Sequence, residues 1–342
     1  MSRLIVTNAA SKTELLWRHI KVKKSLDNIC HTLELEIPAS ERTKVRKHDK
    51  IEVRYENPLI KDSGGKRRVT TVMVDDITAS ADVSKHSVLV IGRSPARDII
   101  DSTWSGSLMN MTLYEITKNI GEKFGIVTSI IPTNIGDPTT KVTEFSWENE
   151  SPWAKIITEA DSQGFIFCSN EAGGLYIWKP EGAARTAERF HFTEGRNVKS
   201  IEWKENGAEQ YHEYIVTGGY GEPASLIDST CGTKRVLTID LTNPDIEPSK
   251  LKRRAETEMR RRRENRTVVT VSGWGLTDTQ IKNNLGANTI RKEILWVPNL
   301  LIPVRMPSVG LERNLLIAEV EQEADQETMQ STVTLVNREA YL

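Results

Sequence analysis

The sequence predicts an α+β protein, mainly β, built as two small antiparallel barrels with an α/β insertion between them. Three observations carry this. Both ends of the chain alternate apolar and polar residues with period two, the signature of half-buried strands. The middle holds two well-capped amphipathic helices. One order of strands and turns recurs near both ends.

The first alternation is His31, Leu33, Leu35 and Ile37, with Thr32, Glu34 and Glu36 on the opposite face. Strand-like runs follow at IEVRY (51–55), VTTVMV (69–74) and HSVLVI (86–91). Ser63-Gly64-Gly65 supplies a turn between the first two. Thr112 and Glu115 then make a capping-box pattern ahead of the stripe Leu113, Ile116, Ile120 and Phe124, and Gly125 sits where a C-cap belongs. Ser151-Pro152 opens a second helix whose Trp153, Ile156, Ile157 and Ala160 share one face, ending at Gly164. The short runs GIVTSII, GFIFCS and GLYIW read as strands among these helices. A third helix runs from about Ser249 to Glu264 with a thin apolar stripe of Leu251, Ala255 and Met259. RTVVTVSGW (266–274), LLIAEVEQ (315–322) and STVTLV (331–336) bring the strands back.

These patterns divide the chain into a first barrel at 1–97, an α/β insertion at 98–180, a mixed connecting region with the basic helix at 181–265, and a second barrel at 266–342. A later strand within 195–220, KSIEW or YHEYIVTG, is expected to return and complete the first barrel. The repeat aligns IEVRY, VMVDDI (72–77), Asp82 and HSVLVIGR (86–93) with LIPVRM (301–306), LLIAEV (315–320), Asp325 and STVTLVNR (331–338). It assigns Val72 and Val74 to one core, and Leu316 and Ala318 or their neighbours to the other.

Lys plus Arg number 46 and Asp plus Glu 47 over 342 residues, so the net charge is −1 and the chain as a whole is no polyanion binder. No stretch approaches the roughly 18 apolar residues of a membrane span, and MSRLIVTNAASKTELLW carries no signal-peptide core. Cys30, Cys168 and Cys231 lie far apart and read as buried free thiols in a reducing compartment.

No catalytic, cofactor-binding or metal-binding set is assembled. His212-Glu213 begins an HExxH-like run, but Val216 stands where the second histidine belongs. Gly218, Gly219 and Gly221 lack the Lys-Ser/Thr of a phosphate loop. Glu148 and Glu150 flank a helix start, where acidic residues are favoured in any case. The sharpest charge feature is Arg260, Arg261, Arg262 and Arg263: between Lys250 and Glu264 eight basic residues face three acidic ones. They are candidates for a partner or channel contact. The competing reading is a solvated helix supported by the i, i+4 pairs Lys252–Glu256, Arg254–Glu258, Glu256–Arg260 and Glu258–Arg262.

Four segments, in this order, resemble the central baseplate hub protein of Mu-like contractile-tailed phages, grouped with late-control tail proteins and the hub part of type VI secretion spikes. They are WRHIKVKKSLDNICHTLELEIP (17–38), WSGSLMNMTLYEITKNIGEKFGI (104–126), residues 148–178 and residues 297–341. The resemblance implies barrels of tail-tube type and a homotrimer in the tail baseplate of the virion, assembled in the host cytoplasm. Its six barrels would form a pseudo-sixfold ring matching a hexameric tail tube protein, while a threefold body carries the trimeric spike protein. Other baseplate proteins would surround it, and viral DNA would pass through the central channel without specific binding. It implies no catalytic residue. No β-helical needle follows the second barrel, which favours a phage or prophage hub. The alternatives are the hub of a type VI or pyocin-like machine, and a tail-associated cell-wall hydrolase.

Overall fold

The computed structural model describes residues 3–57, 66–81, 86–130, 139–178, 185–186, 191–218, 222–241, 248–278 and 292–341. The Ser63–Gly65 turn, Asp82, Gly219 and Gly221 lie outside these residues. The fold is mostly β, and the α-helices among the described residues fall between Arg97 and Arg263.

The first seven strands are β1 (Arg3–Asn8), β2 (Thr13–Leu15), β3 (His19–Ser25), β4 (Thr32–Pro38), β5 (Lys50–Glu56), β6 (Lys66–Ala81) and β7 (His86–Arg93). They pair antiparallel in the order β3-β4-β7-β6-β5-β1-β2. Alternation decides which face turns inward. Leu33, Leu35 and Ile37 meet Val6, Ile20, Val53, Val72 and Val90 in one core.

The insertion carries α1 (Arg97–Asp101), β8 (Trp104–Thr112), α2 (Leu113–Glu122), β9 (Thr128–Ile130), β10 (Lys141–Glu150), α3 (Pro152–Gln163), β11 (Ile166–Ser169) and β12 (Leu175–Trp178). The Thr112 hydroxyl accepts from the Glu115 amide at 3.2 Å, and the Glu115 carboxylate accepts from the Thr112 amide at 2.8 Å, so both orphan donors are satisfied. Gly164 closes α3 at φ +73°. Leu113, Ile116 and Ile120 pack against Ile156, Phe145, Trp147 and Phe167. The β8–β10 pair is an addition to the sequence reading. Its strand WSGSLMNMT is too polar to show alternation, and at Gly106 a Cβ would stand 2.3 Å from the Trp147 ring.

Next come β13 (Arg185–Thr186), β14 (Phe192–Thr193), β15 (Val198–Lys204), β16 (Glu213–Gly218), β17 (Ala224–Ile227), β18 (Val236–Leu241) and α4 (Pro248–Arg263). The last strands are β19 (Arg266–Ser272), β20 (Gly275–Asp278), β21 (Lys292–Leu295), β22 (Leu300–Met306), β23 (Leu311–Ala324) and β24 (Met329–Val336). The ladder β15-β19-β24-β23-β22 encloses a second core of Val269, Ile302, Val304, Leu315, Ile317 and Val333.

Neither KSIEW nor YHEYIVTG completes the first module. KSIEW lies in β15 and pairs β19, because Val198 and Ile201 pack on the second core. YHEYIVTG lies in β16, between β17 and β18, with Tyr214 and Val216 against Leu251 and Ala255 of α4. The first module is extended instead by β23, whose Glu319–Ala324 half pairs β3. Trp274, Leu295 and Ala324 fill its core from the other end of the chain.

The internal repeat is visible in the registers. The eight β6–β7 pairs run from Met73↔Arg93 to Ala81↔His86. The eight β23–β24 pairs run from Leu316↔Val336 to Ala324↔Met329, an offset of 243 residues at every pair. Both ladders carry a bulge at the equivalent place, Val74/Asp76 and Ile317/Glu319. The turns entering β5 and β22 match as well. His48 and Asn299 both adopt φ +67°, and their amides donate to Val74 and Ile317 carbonyls at 3.0 and 2.9 Å. The last strand of the sequence alignment therefore shifts by two residues: Arg93 is equivalent to Val336, not to Arg338. Leu315 and Ile317 face the second core, whereas Leu316 and Ala318 face away, into a junction cluster with Leu26, Trp178 and Tyr341. Both faces of this strand are buried, which its apolar run LLIA hides.

Candidate interaction surface

Helix α4 is tied to the rest of the chain by its own charges. Lys250 pairs Glu159 at 3.2 Å, and Arg253 donates to the Gln163 carbonyl at 3.1 Å. Arg254 pairs Asp161 of α3 and Glu258. Of the four candidate arginines, Arg260 meets Glu256 at 4.0 Å and Arg261 meets Asp161 at 3.6 Å, with its guanidinium over the Tyr341 ring. Arg262 pairs Glu258 at 2.7 Å and lies over Tyr211, and Arg263 pairs Asp228 at 3.0 Å and donates to Thr230. Three of the four anticipated i, i+4 pairs form. The arginines thus fan out to several elements instead of forming one exposed patch. An open cleft of about 310 Å³ beside them, lined by Asp27, Trp153, Asp161 and Phe165, already has its Arg261 paired with Asp161.

These contacts differ in weight. The Asp228 side chain is only 2% exposed, so removing its cation strands a buried carboxylate. Arg263→Gln is expected to cost about 1–3 kcal/mol. Arg260→Gln, which loses a long exposed pair, is expected to cost under about 0.5 kcal/mol. Urea unfolding of the two variants tests this; equal costs would contradict it.

Residues of the sequence-level catalytic patterns lie apart. His212 and Glu213 enter strand β16, where Glu213 accepts from Ser225 at 2.7 Å and Val216 is buried. Glu150 of β10 pairs Lys155 at 3.1 Å. Among the described residues, no group of three His, Cys, Asp or Glu is placed to hold a metal ion. Cys30 and Cys231 are buried and free, and burial pushes the Cys168 thiol up to about 12.

Among the described residues several strand edges are open, those of β6 and β15 among them. β5 leaves β6 after Lys50↔Met73, so the outer edge of Asp76–Ala81 has no strand beside it among the described residues. β15 ends the ladder with Glu202, Trp203 and Lys204 exposed, Trp203 by 45%. Open edges of this kind invite pairing with another chain.

No protein-family model matches the sequence, and no curated protein does. Solved structures match over nearly the whole chain. A 43 kDa tail protein of prophage MuSo2 from Shewanella oneidensis superposes with TM-score 0.75 at 22% identity, covering 99% of both chains. The tail protein from Neisseria meningitidis MC58 gives 0.73 at 15%, covering 98% of this chain and 96% of that one. The chain has a phage tail-protein fold. An E. coli component of the type VI secretion system, itself similar to T4 tail proteins gp27 and gp5, gives 0.60 at 9%, over 97% of this chain and 76% of that one.

Within the tail-protein fold the sequence reading found the arginines but missed their partners. Asp161, Asp228 and Tyr341 are 35 to 100 residues away from the arginines they meet, and helical spacing shows only i, i+4 neighbours. The open edges gave one signal, Trp203 set between Glu202 and Lys204 in β15.

Proposed function

We propose that this chain is the central hub of a phage or prophage tail baseplate, with a structural and not a catalytic role. Three copies form a ring of six similar β-modules, which meets a hexameric tail tube on one side. The insertion and connecting regions form a threefold body that receives a trimeric spike. Other baseplate proteins surround it, and DNA passes through the middle without base-specific contact. The observation that supports this best is the duplication: one chain carries the same strand ladder twice, and its two copies are already joined edge to edge through β23 and β3. A threefold ring of such chains offers six equivalent positions. The likeness to a type VI component favours, as a second reading, the same adaptor role in a secretion machine. The basic helix acts in either case as an internal strut, leaving the trimer intact when Arg260, Arg261, Arg262 and Arg263 are replaced by Gln.

Light scattering of the purified chain tests the reading. The expected mass is about three times the 38.6 kDa of one chain. A stable monomer at micromolar concentration would overturn it.

A further inference from the structure

The joint inside the chain specifies a joint between chains. The equivalence of the modules extends beyond β6–β7 and β23–β24. The β4–β7 pair Leu33↔Gly92 recurs as Thr267↔Leu335 in β19–β24, and Leu35↔Val90 recurs as Val269↔Val333. The β3–β4 pairs Ile20↔Leu35, Lys21↔Glu34, Val22↔Leu33 and Lys23↔Thr32 recur as Ile201↔Val269, Glu202↔Val268, Trp203↔Thr267 and Lys204↔Arg266. Strand β15 is therefore the β3 of the second module, and β6 is the β23 of the first.

In the chain, β23 and β3 pair antiparallel from Glu319↔Ser25 to Ala324↔Ile20. Diagonal ion pairs Lys23–Glu319 and Lys21–Glu321, both 2.9 Å, and His19–Glu323 at 2.8 Å lock that ladder. The equivalent partners, β6 and β15, do not meet within one chain. Both are left with exposed, open edges of matching length.

We propose that β15 of one copy adds antiparallel to the outer edge of β6 in the next copy, in the register Thr78↔Lys204, Ala79↔Trp203, Ser80↔Glu202 and Ala81↔Ile201. This rests on the trimeric reading and names the surface that builds it. The chemistry of the two edges fits. Lys23–Glu319 translates into Lys204–Asp76, again a cation opposite a carboxylate. His19–Glu323 translates into Ser200–Ser80, two hydroxyls. Trp203 and Ile201 fall on the inward face beside Ala79 and Ala81, small residues that leave room for the indole. The contact uses two different surfaces, so it is head-to-tail, and three copies, as the trimeric reading has them, close it as a ring. It also covers both open edges, which otherwise invite uncontrolled pairing.

The test is a cysteine pair across the joint. Thr78→Cys combined with Lys204→Cys is expected to give disulfide-linked dimers and trimers on a non-reducing gel after mild oxidation. Each single variant, and Thr78→Cys with Ser200→Cys, is expected to stay unlinked; the single variants also control for the three native thiols. In a second arm, Asp76→Lys or Lys204→Asp is expected to weaken trimer association about threefold to tenfold, and the double swap to restore it. A trimer by light scattering that neither cross-links at 78–204 nor responds to charge reversal would overturn the edge pairing while leaving the trimer standing. A wild-type monomer would overturn the trimeric reading itself.

Discussion

Trp274→Ala is expected to destabilise the fold by about 3–5 kcal/mol, the usual cost of emptying an aromatic site in a core. Trp274 follows β19 of the second module, yet its ring is buried in the first core beside Leu295, Ala324 and Trp17. Its indole nitrogen donates to the Glu323 carbonyl at 2.9 Å, and its own carbonyl accepts from Gln322 at 3.1 Å. The side chain thus pins the stretch of β23 that pairs β3. Its loss removes apolar contacts and strands a carbonyl at the same joint. Denaturant unfolding measures the cost. Hydrogen exchange adds a localised readout, with faster exchange expected in β3 and in Glu319–Ala324 first. A cost below about 1 kcal/mol would show that the joint does not depend on this residue.

Lys24→Met is expected to act in the opposite direction, stabilising the protein at neutral pH. The β3 pattern K-V-K-K turns Lys24 inward, where it is 1% exposed. Among the described residues its ammonium has no hydrogen-bond partner. Burial pulls its pKa down to about 8, against a partial opposing effect from the Glu171 carboxylate. The unfolded chain holds this proton up to about pH 10.5. Between pH 8 and 10.5 the unfolded state therefore binds more protons, so stability rises with pH across that window. Below pH 8 the whole penalty is in place, of order 3 kcal/mol. The methionine variant is expected to gain about 2–3 kcal/mol at pH 7 and to lose that advantage progressively toward pH 10. The neighbouring His31 imidazole is held well below its ordinary range, by burial first and by Lys24 second. That group costs stability as pH falls below 6.5, where only the unfolded chain takes up the proton. Urea midpoints of both proteins between pH 6 and 10 measure this; a variant less stable than wild type at pH 7 would contradict it.

Lys24 also shows where sequence reasoning stops. The alternation at Leu33, Leu35 and Ile37 declared its face because polar residues separated the apolar ones. In β3 the phase set by Ile20 and Val22 continues to Lys24, but a lysine there reads by its type as the end of the buried face, like Lys21 and Lys23, which point outward to Glu321 and Glu319. The caps of α2 and α3 were legible because capping is local: donor and acceptor sit within three residues. The membership of β15 was not, since its anchors Val198 and Ile201 are out of period-two phase, reconciled only by the irregularity between Val198 and Ser200, and fit either core by pattern. The repeat was legible in β6 and β23, where VMVDDI and LLIAEV align in the observed register. It slipped by two residues in the final strand because Arg338 mimics Arg93. In the structure Arg93 instead bridges Asp75 and Asp101. The arginine run was legible as charge, but its ion pairs go to Asp161 and Asp228, which only the folded chain brings near.

The most direct measurement is an end-on image of the purified protein by electron microscopy. Class averages are expected to show a closed ring with threefold symmetry and six similar outer lobes, two from each chain. Twofold particles, open chains of variable length, or rings with three lobes would contradict the ring of duplicated modules.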